Sequence, residues 1–239
     1  MAIMDWLSRV KLNWNDFDEA GRISRELITE LAANRPLLRN LVLNAATDNL
    51  LRSFAEKHNE LNYVVLYDAL DRGLRIRLHR FSRGLEDIPH NHRFSFSSTI
   101  LSGSYVHSVF RLDTDSDDSD AGSKWRLDQP IGTYTGAKLQ EIELNGFKTI
   151  FSTTQEVGST YSMHHEAVHK TAMPLSDAFS LFVRGPALKR CSLQLQPDDR
   201  TYRWKFGREG ESTDVVASRA MSTSEYDAFV ASLETNGII

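Results

Sequence analysis

The 239-residue chain is short of the features that mark several specialised classes of protein. It has one cysteine, Cys191, which excludes an internal disulfide and a cysteine-rich metal site. Its net charge of −4 predicts no basic surface, so we expect neither a nucleic acid nor a membrane as a partner. No apolar run approaches the roughly 20 residues that span a bilayer, and the acidic residues near the start do not fit a secretory signal. These absences predict a cytoplasmic globular protein.

The two ends of the chain have the patterns of helices. In the first third, apolar residues recur at helical spacing, with a break or restart at Pro36. Near the other end, Ser222 precedes Glu225 by three positions, which is the spacing of a capping box. We therefore expect a helical N-terminal extension over residues 1–61 and a C-terminal extension with a terminal helix over residues 207–239, both belonging to one domain.

Between these extensions the apolar period changes to two. The segment LRIRLHRF, residues 74–81, alternates leucine and isoleucine with arginine and histidine. More short segments of this kind follow, separated by turn residues, which is typical of an antiparallel sandwich or barrel. The acidic segment 113–123 is interpreted as a hairpin tip or lid, because Asp128 stands where a calcium loop needs glutamate. The sequence predicts a mainly β protein with a single antiparallel β-barrel over residues 62–206.

The histidines fall into two clusters. His90 and His92 stand one residue apart, so on an extended strand their side chains share a face and can converge on one ion. His164, His165 and His169 lie several strands farther along the chain. A closed barrel brings distant strands side by side. Two imidazoles from the first cluster and one from the second would form a facial set that leaves positions free on iron, manganese or a similar ion.

The first cluster resembles motif one of the cupin superfamily of jelly-roll β-barrels, G-x5-H-x-H-x3,4-E-x6-G. Gly84, His90 and His92 match this motif, and Gly103 falls at the closing glycine when the shorter spacing applies. The second cupin motif is matched loosely, by the later histidine cluster and a glycine before it. The resemblance covers about residues 74–190 and implies a jelly-roll barrel that binds a metal ion.

The sequence departs from the family at one ligand. The family's glutamate would fall at Phe96 or Ser97, and neither can act as an anionic ligand. The remaining all-histidine triad is similar to that of the thiol dioxygenases, which also lack this glutamate. A neutral triad leaves a bound ion its full positive charge, which suits substrates that coordinate as anions.

The activity implied by the resemblance is that of a non-haem Fe(II)-dependent oxygenase. It would act with O2, by dioxygenation or hydroxylation, on a small anionic molecule such as an amino acid, a carboxylic acid or a thiol. Mn, Ni, Cu and Zn are alternative metals, because a three-histidine site accepts several ions. We expect the ligands to be His90, His92 and a third histidine of the second cluster.

The sequence leaves the third ligand open. The resemblance of residues 169–186 to the end of the barrel in bacterial cupins favours His169. The second motif favours His165 instead, and His164 is a further alternative. A histidine of this cluster that does not bind metal could act as a proton shuttle, and we assign this role to His165.

Other polar residues are candidates for the wall of the site. Arg75, Arg77 and His79 share one strand face, and if that face looks inward, Arg77 can hold a substrate carboxylate in a bidentate contact. The alternative, a solvent face of an edge strand, has equal support. Tyr105 is a further catalytic candidate, although packing of the interior explains it equally well. For Arg184 the pattern favours a structural role.

Alternative functions remain. The same barrel could be a redox-neutral isomerase, lyase or decarboxylase, or a ligand-binding protein without catalysis. The segment HEAVH, residues 165–169, matches the zinc-protease motif HExxH, which needs a helix, whereas the flanking serines and threonines favour a strand. We also expect that the chain can form a homodimer through its N-terminal helices or an exposed edge strand.

Overall fold

The computed structural model describes residues 3–59, 61–113, 125–127, 142–172 and 176–239. The acidic segment 113–123, interpreted above as a hairpin tip or lid, lies outside the described residues apart from Asp113. Among the helices of these ranges, none combines the length and the apolarity needed to cross a bilayer.

Helices are found on both sides of the β-rich region. They are α1 (Ile3–Arg9), α2 (Phe17–Ala33), α3 (Arg35–Thr47), α4 (Asn49–Ser53), α5 (Thr213–Arg219) and α6 (Thr223–Thr235). Side-chain caps set the starts of the long ones. The Asn34 side chain accepts a hydrogen bond at the start of α3, where Pro36 occupies the first turn. Ser222 and Glu225 form the predicted capping box of α6. The prediction of helices at both ends is confirmed.

The strands of the described ranges form three sheets. They are β1 (Glu56–Lys57), β2 (Leu61–Ala69), β3 (Leu74–Phe81), β4 (Phe96–Ser102), β5 (Tyr105–Asp113), β6 (Arg126–Leu127), β7 (Gly146–Gln155), β8 (Thr160–Met163), β9 (Val168–Ala172), β10 (Ala178–Arg184), β11 (Cys191–Gln196) and β12 (Thr201–Phe206). The strand orders are β1-β2-β3-β10-β4-β8, β7-β5-β9 and β11-β12-β6. All pairs are antiparallel except β12 with β6. The predicted mainly β, antiparallel architecture is confirmed.

One face of the six-stranded sheet is covered by helices. The alternation in β3 puts Leu74, Ile76 and Leu78 on this face, where each is fully buried. Leu181 and Val183 of β10 lie directly opposite Leu78 and Ile76 and join the same core. Helices α2, α3 and α6 contribute the apolar residues that pack against them. This apolar core is a conventional sheet-on-helix layer.

The other face of the six-stranded sheet packs against β5. Phe96 of β4, Met163 of β8 and Phe182 of β10 form a buried cluster with Val109, which comes from β5 of the three-stranded sheet β7-β5-β9. Since β9 pairs with β5, its residues also come close to this interface. The space between the two sheets is where the histidine clusters meet.

The stretch that carries the first histidine cluster is not a regular strand, and the chain bends directly after it at Arg93 and Phe94. His90 forms isolated bridges with His169 and with Gln194, and the regular strand begins only at Phe96. The strand β4 ends in a turn at Gly103, whose φ of +73° is in the left-handed region that favours glycine. A Cβ there would lie 2.5 Å from the backbone oxygen of Asp177, which explains the closing glycine of the motif.

Candidate metal centre

Backbone pairing brings the two histidine clusters together. The backbone N–H of His90 donates to the oxygen of His169 at 2.9 Å, and the N–H of His169 donates back to the oxygen of His90 at 2.8 Å. The N–H of His92 donates to the oxygen of His165 at 3.3 Å. This reciprocal bridge fixes the register between the segment of the first cluster and β9. It therefore places His169, rather than its neighbours in the cluster, opposite His90.

Three imidazoles converge at this bridge. The ligand nitrogens of His90, His92 and His169 all lie within 4.8 Å of one another. The Nε2 atoms of His92 and His169 are 2.8 Å apart. Metal–nitrogen bonds of about 2.0–2.1 Å put neighbouring ligand nitrogens roughly 3 Å apart, so the spacing fits two adjacent ligands of one ion. The three residues offer a facial set of neutral nitrogen donors.

Outer contacts orient two of the three rings. Nδ1–H of His90 donates to the backbone oxygen of Ile88 at 2.8 Å, and Asp87 lies 3.3 Å from the same nitrogen. The Nε2 lone pair of His90 is then free for a metal ion. Nδ1 of His169 is 2.9 Å from Nε2 of His107, and this hydrogen bond leaves Nε2 of His169 facing His92. Such outer partners fix the tautomer and the orientation of metal-binding histidines.

The surroundings keep the imidazoles of His92 and His169 neutral. Burial lowers the pKa of each well below its ordinary value, and the neighbouring histidines add to the effect. Burial also lowers the pKa of His107 to about 4. Neutral imidazole is the form that binds metal ions, so His92 and His169 are prepared to bind a cation without first losing a proton.

An aromatic wall stands where the cupin glutamate would be. The ring of Phe96 lies 4.8 Å from that of His92 and 5.8 Å from that of His169, and Phe182 stacks on it at 4.5 Å. Ser97 points to the other side of the sheet, where its hydroxyl is 2.6 Å from that of Ser24 in α2. Within the described residues, the candidate site therefore has no carboxylate ligand.

The three histidines line one cavity of about 560 Å³. This volume is within the range of small-molecule binding sites. The rings of Phe94 and Phe96 form the wall beside His92, and charged residues also line the cavity. The cavity also receives the polar face of β3, namely Arg75, Arg77 and His79. Of the two alternatives that the sequence leaves open, the structure places this face on the inside.

Two arginines reach the cavity from neighbouring strands. Arg77 and Arg184 lie near the ring of Phe94, with their Cζ atoms 5.9 and 4.3 Å from its centroid. The Nε atom of each is buried without a hydrogen-bond partner. Burial lowers the pKa of Arg77, and burial followed by the charge of Arg77 lowers the pKa of Arg184 to about 8. The cavity therefore holds two poorly solvated cations.

Unsatisfied polar atoms concentrate on this cavity face. In the part of the chain that the structure describes, they include Nε of Arg77, Nε2 of His79, Oγ of Ser180 and Nε of Arg184. His79 faces Ser180, and Arg184 faces Arg75, across the β3–β10 pair. Buried polar atoms in native proteins nearly always have a partner. Three of these residues, Arg77, His79 and Arg184, line the cavity, so a ligand there is a candidate partner for them.

The structure places the other candidate residues outside the cavity wall. His165 lies in the turn between β8 and β9, with Nδ1 3.1 Å from the hydroxyl of Ser95 and Nε2 3.4 Å from Glu166. His164 packs edge-on against Phe17, with ring centroids 5.2 Å apart. The proton-shuttle role of His165 stays a prediction. Because HEAVH spans this turn and the start of β9, it lacks the helix that the protease motif requires.

Tyr105 reaches the cavity only through another tyrosine. Its side chain is completely buried, and its hydroxyl is 2.8 Å from that of Tyr161. Tyr161 lines the cavity and stacks on His107 with ring centroids 4.7 Å apart. Burial raises the pKa of Tyr105 well above its ordinary value and that of Tyr161 to about 12. Both phenols are therefore held protonated.

The sequence does not assign the roles of two contributors. His107 is hydrogen-bonded to His169, the candidate third ligand. Its parity with Tyr105 on β5 was the available signal, but the contact depends on the pairing of β5 with β9. Arg184 lies in the cavity wall, whereas the sequence pattern favours a structural role. No local signal indicates this, because its position follows from the pairing of β10 with β3.

Comparison with known proteins gives similarity in fold only. No protein-family model matches the chain, and no curated protein matches it. Similar solved structures are found at low identity, and two of them are described as a cupin and as having a cupin-like fold. An RmlC-like cupin from Shewanella frigidimarina is 15% identical over 56% of this chain and 85% of its own, with a TM-score of 0.35.

Two enzymes are among the other similar structures. A DMSP lyase from Ruegeria pomeroyi is 11% identical over 57% of this chain and 52% of its own, with a TM-score of 0.33. An oxalate oxidase in complex with glycolate is 13% identical over 55% and 53%, with a TM-score of 0.34. The chain spans about half the length of these two proteins. Similarity at this level does not assign an activity to the chain.

Proposed function

We propose that this protein is a metal-dependent enzyme that uses a non-haem Fe(II) centre to oxygenate a small anionic molecule with O2. The observation that carries the proposal is the convergence of His90, His92 and His169 in a cavity, without a carboxylate ligand within the described residues. A bound Fe(II) would supply redox chemistry with O2 and open positions for an anionic donor. An amino acid, a carboxylic acid or a thiol fits this description.

The protein's own residues would prepare the site. His107 holds His169 in the orientation and tautomer that present Nε2 to the ion. Phe96 and Phe182 exclude water beside the histidines, which strengthens electrostatic interactions in the cavity. Arg77 would orient the acid group of the substrate through its guanidinium.

Elemental analysis of the purified full-length chain tests the proposal. We expect near-stoichiometric iron in the parent, and none in a His90→Ala/His92→Ala double variant. A His164→Ala variant is the matched control. His164 belongs to the second cluster, but it packs against Phe17 and is not one of the three candidate ligands. It should retain the iron of the parent.

Oxygen consumption then separates the redox proposal from its alternative. We expect the iron-loaded parent to consume O2 with at least one member of a panel of small amino acids, carboxylic acids and thiols, and the double variant to consume none. Stoichiometric zinc, or turnover that persists under anaerobic conditions, would instead indicate a redox-neutral isomerase or lyase. Retention of the metal by the double variant would show that the three histidines are not the site.

A further inference from the structure

Two of the three cavity arginines on the β3–β10 pair lack a carboxylate. Asp68 neutralises Arg75. Nε of Arg75 donates to Oδ1 at 2.8 Å, and Nη2 donates to Oδ2 at 2.7 Å. Arg77 and Arg184 form no ion pair within the described residues, and the one hydrogen bond of Arg184 there goes to the backbone oxygen of Gly185 at 3.2 Å. The chain thus neutralises one of these arginines and leaves two adjacent cations available.

Two acids of the cavity lining near these arginines have other partners. Glu209 pairs with Arg93. Glu56 lies 3.1 Å from Nε2 of His58 and 3.7 Å from Nε of Arg208. Burial raises the pKa of Glu56, but hydrogen bonds with His58 and Tyr63, together with the charge of Arg219, outweigh this effect and lower it to about 2. The charges of Glu56 and Glu209 act on Arg77 and Arg184 respectively, but neither acid forms an ion pair with these two arginines.

Aromatic rings orient the two guanidinium groups. Cζ of Arg77 lies 4.2 Å from the ring centroid of Tyr63, and Cζ of Arg184 lies 4.3 Å from that of Phe94. Contact of a guanidinium face with an aromatic ring leaves its N–H edge free to donate. The Nε atoms of both, which belong to that edge, have no partner. Two such edges are suited to the oxygens of one carboxylate.

Phe94 connects the arginines with the metal centre. Its ring centroid lies 5.4 Å from that of His92 and 4.3 Å from Cζ of Arg184, so these two groups are no farther apart than the sum of both distances. Phe182, Phe94 and Phe96 together make an apolar stretch between the arginines and the histidines. A short hydrocarbon chain fits this stretch better than a polar one.

We propose that Arg77 and Arg184 form a carboxylate subsite, and that the substrate is a short-chain acid with three parts. Its carboxylate binds the arginine pair, an apolar spacer crosses the phenylalanine stretch, and a second donor group at the far end reaches the three histidines. The position of the donor group rests on the proposed function, because it needs a metal ion there. The carboxylate subsite does not, since it depends only on the arginines.

Calorimetric titration of the full-length protein, as purified, tests the subsite. The probes are butanoate and the straight-chain dicarboxylates succinate, glutarate and adipate. Arg77→Met and Arg184→Met should each weaken binding about 10- to 100-fold, as expected for loss of hydrogen bonds to a charged group. Arg80→Met is the matched control. Arg80 is on the same strand but pairs with Asp177 outside the cavity, so this variant should bind like the parent.

A second comparison locates the far end of the ligand. In the metal-loaded parent, one dicarboxylate length should bind more tightly than butanoate, and this preference should disappear in the His90→Ala/His92→Ala variant. If the preference is absent while the arginine variants still lose affinity, the metal part of the proposed function fails and the carboxylate subsite stands. If both arginine variants bind all probes like the parent, the subsite is wrong.

The same series of variants includes a control for folding. Because neither buried arginine forms an ion pair, neither methionine variant should lower the thermal midpoint of the ligand-free protein by more than a few degrees. Arg77→Lys and Arg184→Lys retain the charge but lose the bidentate edge, so their affinity should fall between parent and methionine variant. Unfolded methionine variants combined with lysine variants that bind like the parent would overturn the proposal in favour of a structural role.

Discussion

The two faces of β3 and β10 differ in how completely their side chains are satisfied. On the helix-covered face, Ile76, Leu78 and Val183 are fully buried among other apolar residues. On the cavity face, one residue along each strand, Arg77 and Arg184 have buried polar atoms without partners. Adjacent residues of the same strands thus occupy a complete core on one side and an incomplete polar site on the other.

This difference indicates what each face contributes. A complete apolar face lowers the free energy of the folded chain through burial of hydrocarbon. Unpaired buried polar groups raise it, and they persist where a ligand supplies the missing partner. Because both faces share the same strands, the apolar face holds the backbone of the cavity face in place. The fold can therefore tolerate a polar face that would not be stable by itself.

Substitutions at two neighbouring positions of β3 should give the largest difference in free energy of unfolding between the two faces. Leu78→Ala should lower the free energy of unfolding by about 2–5 kcal/mol, because it leaves a cavity in the apolar core. Arg77→Met, one residue away, should cost less than about 1 kcal/mol, because it removes an unpaired buried charge. Urea denaturation of both variants measures this difference. Equal losses would show that the cavity face is as structural as the core.

Through Glu56, the cavity wall should make the free energy of unfolding depend on acid pH. The pKa of Glu56 is lowered from 4.5 to about 2. Its contribution is therefore present above about pH 4.5 and is lost as pH falls towards 2, by roughly 3 kcal/mol in total. Glu56→Gln should remove this dependence, whereas Leu78→Ala should keep it. If the free energy of unfolding changed with pH in the same way for the parent and for Glu56→Gln, Glu56 would not be the source of this dependence.

His107 should affect metal affinity with little effect on folding. His107→Phe can keep the stack on Tyr161 but cannot accept the hydrogen bond from His169. We expect metal affinity to fall about 10- to 100-fold, or roughly 1.4–2.7 kcal/mol. Competition with a chelator of known affinity measures this change, and urea denaturation serves as the control. Unchanged affinity would mean that the His107–His169 contact only fills space.

The smallest effect is expected at the capping box of α6, on the helix-covered side. Ser222→Ala removes the side-chain acceptor for the N–H of Glu225. The free energy of unfolding should fall by about 1 kcal/mol, and the metal content should stay that of the parent. A loss of metal in this variant would contradict the prediction, because it would show that the cap of α6 affects the metal centre on the other face of the sheet.

Much of the fold could be predicted because its signals are local. The alternation in LRIRLHRF corresponds to β3, and the spacing of Ser222 and Glu225 corresponds to the cap of α6. The start of β4 was less accessible, because the chain bends at Arg93 and Phe94 and the regular strand begins only at Phe96. The proposed limits of the terminal extensions, the homodimer and the cytoplasmic location stay predictions.

Part of the candidate site is likewise visible in the sequence. The spacing of His90 and His92 and the second histidine cluster together indicate a metal centre, and the resemblance to motif one, without its glutamate, implies an all-histidine one. The sequence cannot show which of His164, His165 and His169 is the third candidate ligand, because the three lie close together in the chain and are chemically identical. The backbone bridge between His90 and His169 makes that choice.

The sequence by itself determined strand β3, the cap of the terminal helix and the two candidate ligands that stand one residue apart, because these depend on periodicity and short-range spacing. Only the tertiary structure decided that Arg77 faces inward, that Arg184 joins it, and that His107 holds His169. Each of these depends on the register between strands distant in the chain. A shift of one residue in that register would turn every side chain to the opposite face, and no local pattern encodes that register.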